Sequence, residues 1–123
     1  MENLAVGVDI IEIDRVAQAV KRWGQRFLER IYTPDETAYC QGRAERLAAR
    51  FAAKEAVMKA LGTGTHGVAW REVEVVRLRS GAPTIVLHGR ALQRAQALGI
   101  HSLAVSLSHS RSYAVASVVG RIA

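Results

Sequence analysis

Two acidic side chains stand where their neighbours predict apolar ones. Asp9 is the only charged residue between Glu2 and Glu12, inside the β-branched run LAVGVDIIEI at 4–13. Glu55 lies in RFAAKEAVMKAL, a stretch of strong helix formers. With Phe51 at zero on a wheel of about 100° per residue, Leu47, Met58 and Leu61 fall at about −40°, −20° and −80°. Glu55 falls at about +40°, Lys59 at about +80° and Lys54 at about −60°, so all three charges crowd the apolar stripe. A charge buried without a partner is costly. Two hard carboxylates, one from a strand and one from a helix packed on it, are what Mg²⁺ requires when phosphates and water complete its shell. Lys59, one turn along, would then face those phosphates. Two plainer readings stand beside this one: Asp9 pairs with an arginine or caps backbone, and Glu55–Lys59 is an i,i+4 pair worth about 0.2–0.5 kcal/mol.

Two further groupings point to phosphate. His109 stands among Ser106, Ser108, Ser110 and Arg111 at the end of an alternating run. GTGTHG at 62–67 has the spacing of a dinucleotide fingerprint but follows a helix instead of a strand, which excludes that reading. Gly62 and Gly64 then belong either to a helix C-cap running into a loop or to backbone contacts with a phosphorylated ligand. His66, His88, His101 and His109 show no metal-ligand spacing.

The elements that must position these residues follow from periodicity. Residues 4–13 predict a strand buried on both faces. Asp14 predicts the cap of a helix whose Val16, Val20, Trp23 and Phe27 face the core, with a break at Gly24. Thr33-Pro34-Asp35-Glu36 predicts a short helix, with Cys40 in its last turn. Arg43–Leu61 predicts a long helix ended by Gly62. Residues 72–79 and 83–88 predict a hairpin around Ser80-Gly81-Ala82, Gly89–Gly99 a helix, and 102–108 and 112–119 two strands joined by a turn at His109–Ser112. Helices and strands mix without a βαβ repeat, so the expected class is α+β with a largely antiparallel sheet.

The 123 residues predict one domain, residues 1–123, with a core large enough to need neither disulfide nor structural metal. Seventeen Lys and Arg against eleven Asp and Glu leave a net charge of +6, which favours an acidic or polyanionic partner. Aromatics at 6% form no stacking array among basic residues and no nucleic-acid-binding signature occurs, which argues against a nucleic-acid module. Cys40 is alone, fitting a reducing, cytoplasmic setting. The acidic start, Glu2 onward, is unlike a signal peptide, and no apolar run is long enough to span a membrane.

GVDIIEIDR at 7–15, RFAAKEAVMKALGTG at 50–64, the W-x-x-V-E-V pattern from Trp70 and SLSH at 106–109 together resemble the holo-acyl-carrier-protein synthases, the short branch of the 4′-phosphopantetheinyl transferases. The resemblance spans nearly the whole chain, although the segment between Arg15 and Phe27 looks about one residue longer than in some relatives. It implies the transferase fold and transfer of phosphopantetheine from coenzyme A to a serine of apo-acyl carrier protein for fatty acid biosynthesis, releasing adenosine 3′,5′-bisphosphate. By the same resemblance Mg²⁺ is the cofactor, held by Asp9 and Glu55. Lys59 stabilises the leaving phosphate, and Glu55, directly or through water, is the base. Arg50, Lys59, Gly62, Gly64, Ser108 and His109 bind coenzyme A, with His109 either touching its nucleotide end or supporting Asp9. Arg15, Arg22, Arg26 and Phe27 dock the carrier protein. A homotrimer with active sites between subunits is implied as well. Neither nucleic acid nor membrane is an expected partner.

Overall fold

The structure, a computed structural model, describes residues 3–123. Glu2, part of the acidic start that argues against a signal peptide, lies outside the described residues. The order is β1 (Leu4–Glu12), α1 (Ile13–Trp23), α2 (Gln25–Ile31), α3 (Pro34–Cys40), α4 (Ala44–Leu61), a 3₁₀ turn (Trp70–Glu72), β2 (Val73–Arg77), β3 (Pro83–Leu87), α5 (Gly89–Leu98), β4 (Ile100–His109) and β5 (Tyr113–Ile122). Strands β1, β5 and β4 form an antiparallel sheet with β5 central, and β2–β3 form a separate antiparallel hairpin. The α+β expectation holds. No helix among the described residues is long and apolar enough to cross a membrane.

The long helix is central instead of amphipathic. Leu47, Ala48, Ala49, Ala52, Ala53, Ala56, Val57, Met58 and Leu61 are all buried, around most of its circumference. One core cluster joins its C-terminal half to β2, α5 and the sheet. A second joins its N-terminal half to α1, α2 and α3. A wheel with one wet face therefore understates the burial of this helix, although it correctly puts Lys54 inside the apolar stripe. That residue is wholly buried, its ammonium bonded to Glu36 Oε1 at 2.7 Å, to the Val73 carbonyl at 2.5 Å and to the Trp70 carbonyl at 3.2 Å. Glu36 also closes the capping box with Thr33 that the sequence announces.

Alanines on α4 let β1 approach closely, and Gly7 completes the approach. A methyl group on Gly7 would fall inside the shell of the Ala56 carbonyl oxygen, a backbone atom that cannot swing away. This contact brings the strand bearing Asp9 against the helix turn bearing Glu55. Gly7→Ala is expected to lower stability by about 1–3 kcal/mol or more and to reduce activity with it, because the strand must lift from the helix. Urea unfolding and turnover measured together check this, and an unaltered midpoint would show that β1 has slack here.

Three local expectations need correction, and a fourth, the break at Gly24, is met with a consequence for the arginines around it. Leu4, Val6, Val8 and Ile10 are more than half or nearly half exposed, so β1 is buried on one face only. Trp23 is exposed instead of facing the core. Glu12, not Asp14, precedes the first helical residue, and Asp14 sits in the first turn, where its charge suits the helix dipole. The helix breaks at Gly24, whose φ of 57° lies in the left-handed region, so Arg26 and Phe27 belong to α2, not α1. Arg15, Arg22 and Arg26 therefore do not share one continuous helix face.

Candidate active site

The Gly7–Ala56 contact sets Asp9 beside Glu55, and both line a cleft of about 350 Å³ with Arg15, Phe27 and Phe51. Burial first, then the negative charge of Asp9 and a hydrogen bond shared with it, raise the Glu55 carboxyl above its ordinary range, against the partial offset of Lys59 and Arg15. Two carboxylates facing one another repel unless a proton or a cation intervenes. Lys59 reaches across to supply some of that charge. Its ammonium donates to the Val8 carbonyl at 2.8 Å and to Asp9 Oδ1 at 3.3 Å. It does not pair with Glu55 among the described ion pairs, so the plain i,i+4 reading fails. Asp9 is 11% exposed and Lys59 54%, which leaves the lysine free to leave for a better anion.

The donor set fits a small hard cation. Asp9 and Glu55 supply anionic oxygens, and among the described residues no group of three or more His, Cys, Asp or Glu side chains is placed to hold a metal. A metal here must take its remaining ligands from water and substrate oxygens, as Mg²⁺ does in phosphoryl-transfer sites.

A second cleft, of about 320 Å³, lies between α3, α4 and the end of β4. Its polar lining is Tyr39, Arg43, Arg46, Arg50, Ser108 and His109 together with one carboxylate, Glu45. Arg50 is 4% exposed and its Nε lacks a hydrogen-bond partner. The two clefts share no lining residue. His109 makes its only described hydrogen bond to the Ser110 carbonyl, at 3.3 Å, and within one chain it does not touch Asp9.

A third, mostly apolar groove of about 540 Å³ continues from the first through the shared Phe27 and Phe51. Phe27, Phe51 and Trp70 stack along it, with centroids 6.4 and 4.8 Å apart, and Arg26, Arg30 and Trp23 line its rim. Arg22 covers the Trp23 ring, 5.0 Å from the centroid.

The structure thus gathers Asp9, Glu55, Lys59, Arg15 and Phe27 in one place and Arg50, Ser108 and His109 in another. Gly62 and Gly64 line neither cleft. Gly62 caps α4 in the left-handed conformation, φ 71°, the plainer of its two readings. Sequence reasoning missed Arg43 and Arg46, although with Arg50 they recur at i, i+3 and i+7, a spacing that puts all three on one helix face. It also passed over Tyr39 and Glu36, whose partners lie far away in the chain.

A family model described as the 4′-phosphopantetheinyl transferase superfamily matches residues 5–118. A holo-[acyl-carrier-protein] synthase of Koribacter versatilis is 56% identical over 120 residues, covering 94% of this chain and 96% of its own. Another, of Herpetosiphon aurantiacus, is 55% identical over 124 residues, covering 95% and 98%. Among solved structures, the Helicobacter pylori holo-[acyl-carrier-protein] synthase in complex with coenzyme A superposes with a TM-score of 0.86 at 34% identity, over 94% of this chain and 98% of that one. Fold, motif order and identity along nearly the full length agree: the chain belongs to the holo-[acyl-carrier-protein] synthase family of the 4′-phosphopantetheinyl transferase superfamily.

Proposed function

We propose that the protein transfers 4′-phosphopantetheine from coenzyme A to a serine hydroxyl of apo-acyl carrier protein. The serine oxygen forms a bond to the phosphorus that bears pantetheine, the bond from that phosphorus to the bridging oxygen breaks, and adenosine 3′,5′-bisphosphate leaves. The observation that carries this reading is the pair of facing carboxylates, Asp9 and Glu55, with an exposed ammonium at their edge. Asp9 and Glu55 would hold Mg²⁺, which supplies positive charge to the pyrophosphate as its bridge breaks. Glu55, whose carboxyl is held above its ordinary range by burial and by Asp9, is suited to take the serine proton. Lys59 moves from Asp9 to the leaving phosphate, a step its exposure permits. Arg50, Ser108 and His109 hold the nucleotide end.

The separation of the two clefts supports a site built between copies. A coenzyme can be held at its nucleotide by one cleft and at its pyrophosphate by the other when the second cleft of one subunit faces the first of its neighbour. The outer face of the sheet, with Leu4, Val6, Val8, Ile10 and Val119 exposed, supplies apolar surface for such packing, and a homotrimer is the assembly we assign. We place the reaction in the cytoplasm, in support of fatty acid synthesis, a setting with which the single buried thiol of Cys40 is compatible.

The test is a transfer assay with purified apo-acyl carrier protein, coenzyme A and Mg²⁺, following carrier mass. Glu55→Gln and His109→Ala chains, each inactive alone, are expected to regain partial activity when mixed and allowed to exchange subunits. Verified mixed assemblies without recovery would place both residues in one chain's site.

Carrier docking falls to the basic side of the first cleft and its groove, where Arg15 and Arg26 flank the aromatic floor. Opposed charges there raise the encounter rate and fix register, and salt screens them over a Debye length of about 8 Å. Arg15→Glu is expected to raise KM for the carrier protein about tenfold and to flatten its salt dependence, with KM for coenzyme A nearly constant. Equal damage to both substrates would remove Arg15 from carrier recognition.

A further inference from the structure

Arg46 and Arg50 bring two guanidinium groups to the second cleft, and neither is ion-paired among the described residues. What holds them is a ring. Tyr39, near the end of α3, lies beneath Arg50 with the guanidinium carbon 4.1 Å from the ring centroid, and beneath Arg46 and Arg77 at 5.0 and 5.1 Å. Arg46 Nη1 also donates to the Tyr39 carbonyl at 3.0 Å. Arg77 Nη1 donates to the Tyr39 hydroxyl. Arg77 is itself tied to the hairpin turn, its Nε donating to the Gly81 carbonyl at 3.0 Å.

The manner of holding matters. A carboxylate grips a guanidinium edge-on and occupies its in-plane N–H donors. An aromatic ring attracts the same cation through its flat face and leaves the donors at the edge free. Arg50 shows the consequence: it is 4% exposed, yet its Nε has no partner. A buried donor without a partner is costly, and no carboxylate neutralises this guanidinium among the described ion pairs.

Resting on the reaction assigned above, we infer that Tyr39, braced by Arg77, is a positioning residue that holds Arg46 and Arg50 over its ring so that N–H donors not taken up by a carboxylate meet a phosphate of the nucleotide end of coenzyme A. The hairpin β2–β3 thereby acquires a role at a site it does not line. The phenol reports the same field: partial burial raises it, but the Arg77 hydrogen bond and the charges of Arg77, Arg50 and Arg46 outweigh burial and hold it below its ordinary value.

The experiment compares Tyr39→Leu, Tyr39→Phe and Arg77→Met. Tyr39→Leu removes the ring and is expected to raise KM for coenzyme A, and the Kd of adenosine 3′,5′-bisphosphate by calorimetry, about tenfold. Tyr39→Phe keeps the ring and loses only the brace, so both constants rise about two- to threefold. Arg77→Met removes that bond together with its own contacts to the Tyr39 ring and the Gly81 carbonyl, so its effect is at least as large, and adding Tyr39→Phe to it changes little because the shared bond is already gone. The value of kcat at saturating coenzyme A and KM for the carrier protein stay within about twofold, because neither the carboxylates nor the docking face is touched. Unchanged KM and Kd in a folded Tyr39→Leu protein would overturn the inference while leaving the reaction standing, as would a fall in kcat and a rise in both KM values that track a loss of thermal stability. A parent protein that binds the bisphosphate through Tyr39 yet transfers nothing would overturn the reaction and uphold the positioning. A parent protein that does neither overturns both.

Discussion

Asp9→Asn and Glu55→Gln each reduce transfer by about 10³-fold or more at saturating Mg²⁺ and coenzyme A, and leave the fold intact. Each replacement keeps shape and removes one anionic oxygen donor from a pair that no third His, Cys, Asp or Glu side chain joins among the described residues. Loss of electrostatic stabilisation worth several kcal/mol, at about 1.4 kcal/mol per factor of ten, gives that magnitude. Stability moves the other way. Glu55 has its folded-state carboxyl raised by burial and by Asp9, so the folded chain binds that proton more tightly than the unfolded chain does. The contribution is therefore present at low pH and lost as pH rises above the ordinary glutamate value of 4.5. In a chelator the parent protein should weaken through that window, and Glu55→Gln should lack this part of the slope. Calorimetric unfolding from pH 4 upward, beside a transfer assay, reads both effects. Near-normal turnover in both variants would remove the carboxylate pair from the chemistry.

Lys54→Met is expected to be the most destabilising single change, by about 3–5 kcal/mol, because it strands Glu36 as an uncompensated charge in the interior. At this chain length that loss corresponds to a fall in Tm of roughly 10–20 °C. The pair is fully enclosed: Lys54 and Glu36 have no exposed side-chain surface. Their bonds join α3, α4, the 3₁₀ turn and β2, since Glu36 Oε2 accepts the Val75 N–H at 2.9 Å and Lys54 donates to the carbonyls of Trp70 and Val73. Adding Glu36→Leu should recover part of the loss by removing the stranded carboxylate, while the orphaned backbone groups of Val75, Val73 and Trp70 keep recovery incomplete. A thermal shift of only a few degrees in Lys54→Met would mean that water reaches Glu36.

The local sequence determined most of the element types. Thr33-Pro34-Asp35-Glu36 specifies a helix start because a hydroxyl acceptor, a proline and two acids each satisfy or suit the first turn, and the capping box forms there. Gly24 and Gly62 end helices because both positions take positive φ. Alternation in 102–108 places Leu103, Val105 and Leu107 on one face, and the structure keeps them there. Asp9 and Glu55 were legible as candidates because a charge breaking an apolar pattern is a local signal.

Tertiary structure decided which charges meet. Periodicity records distance along one helix or strand, whereas Lys59 chooses between Glu55, four residues away, and Asp9, fifty away, by the close packing of Gly7 on Ala56. The same limit hid Glu36, whose partner Lys54 lies eighteen residues on, and Tyr39, whose brace Arg77 comes from the hairpin. It also misplaced β1. An apolar strand face reads as core whether it is covered by its own chain or left open, because hydrophobicity specifies only that water be excluded, and the identity of the covering surface is settled by three-dimensional packing.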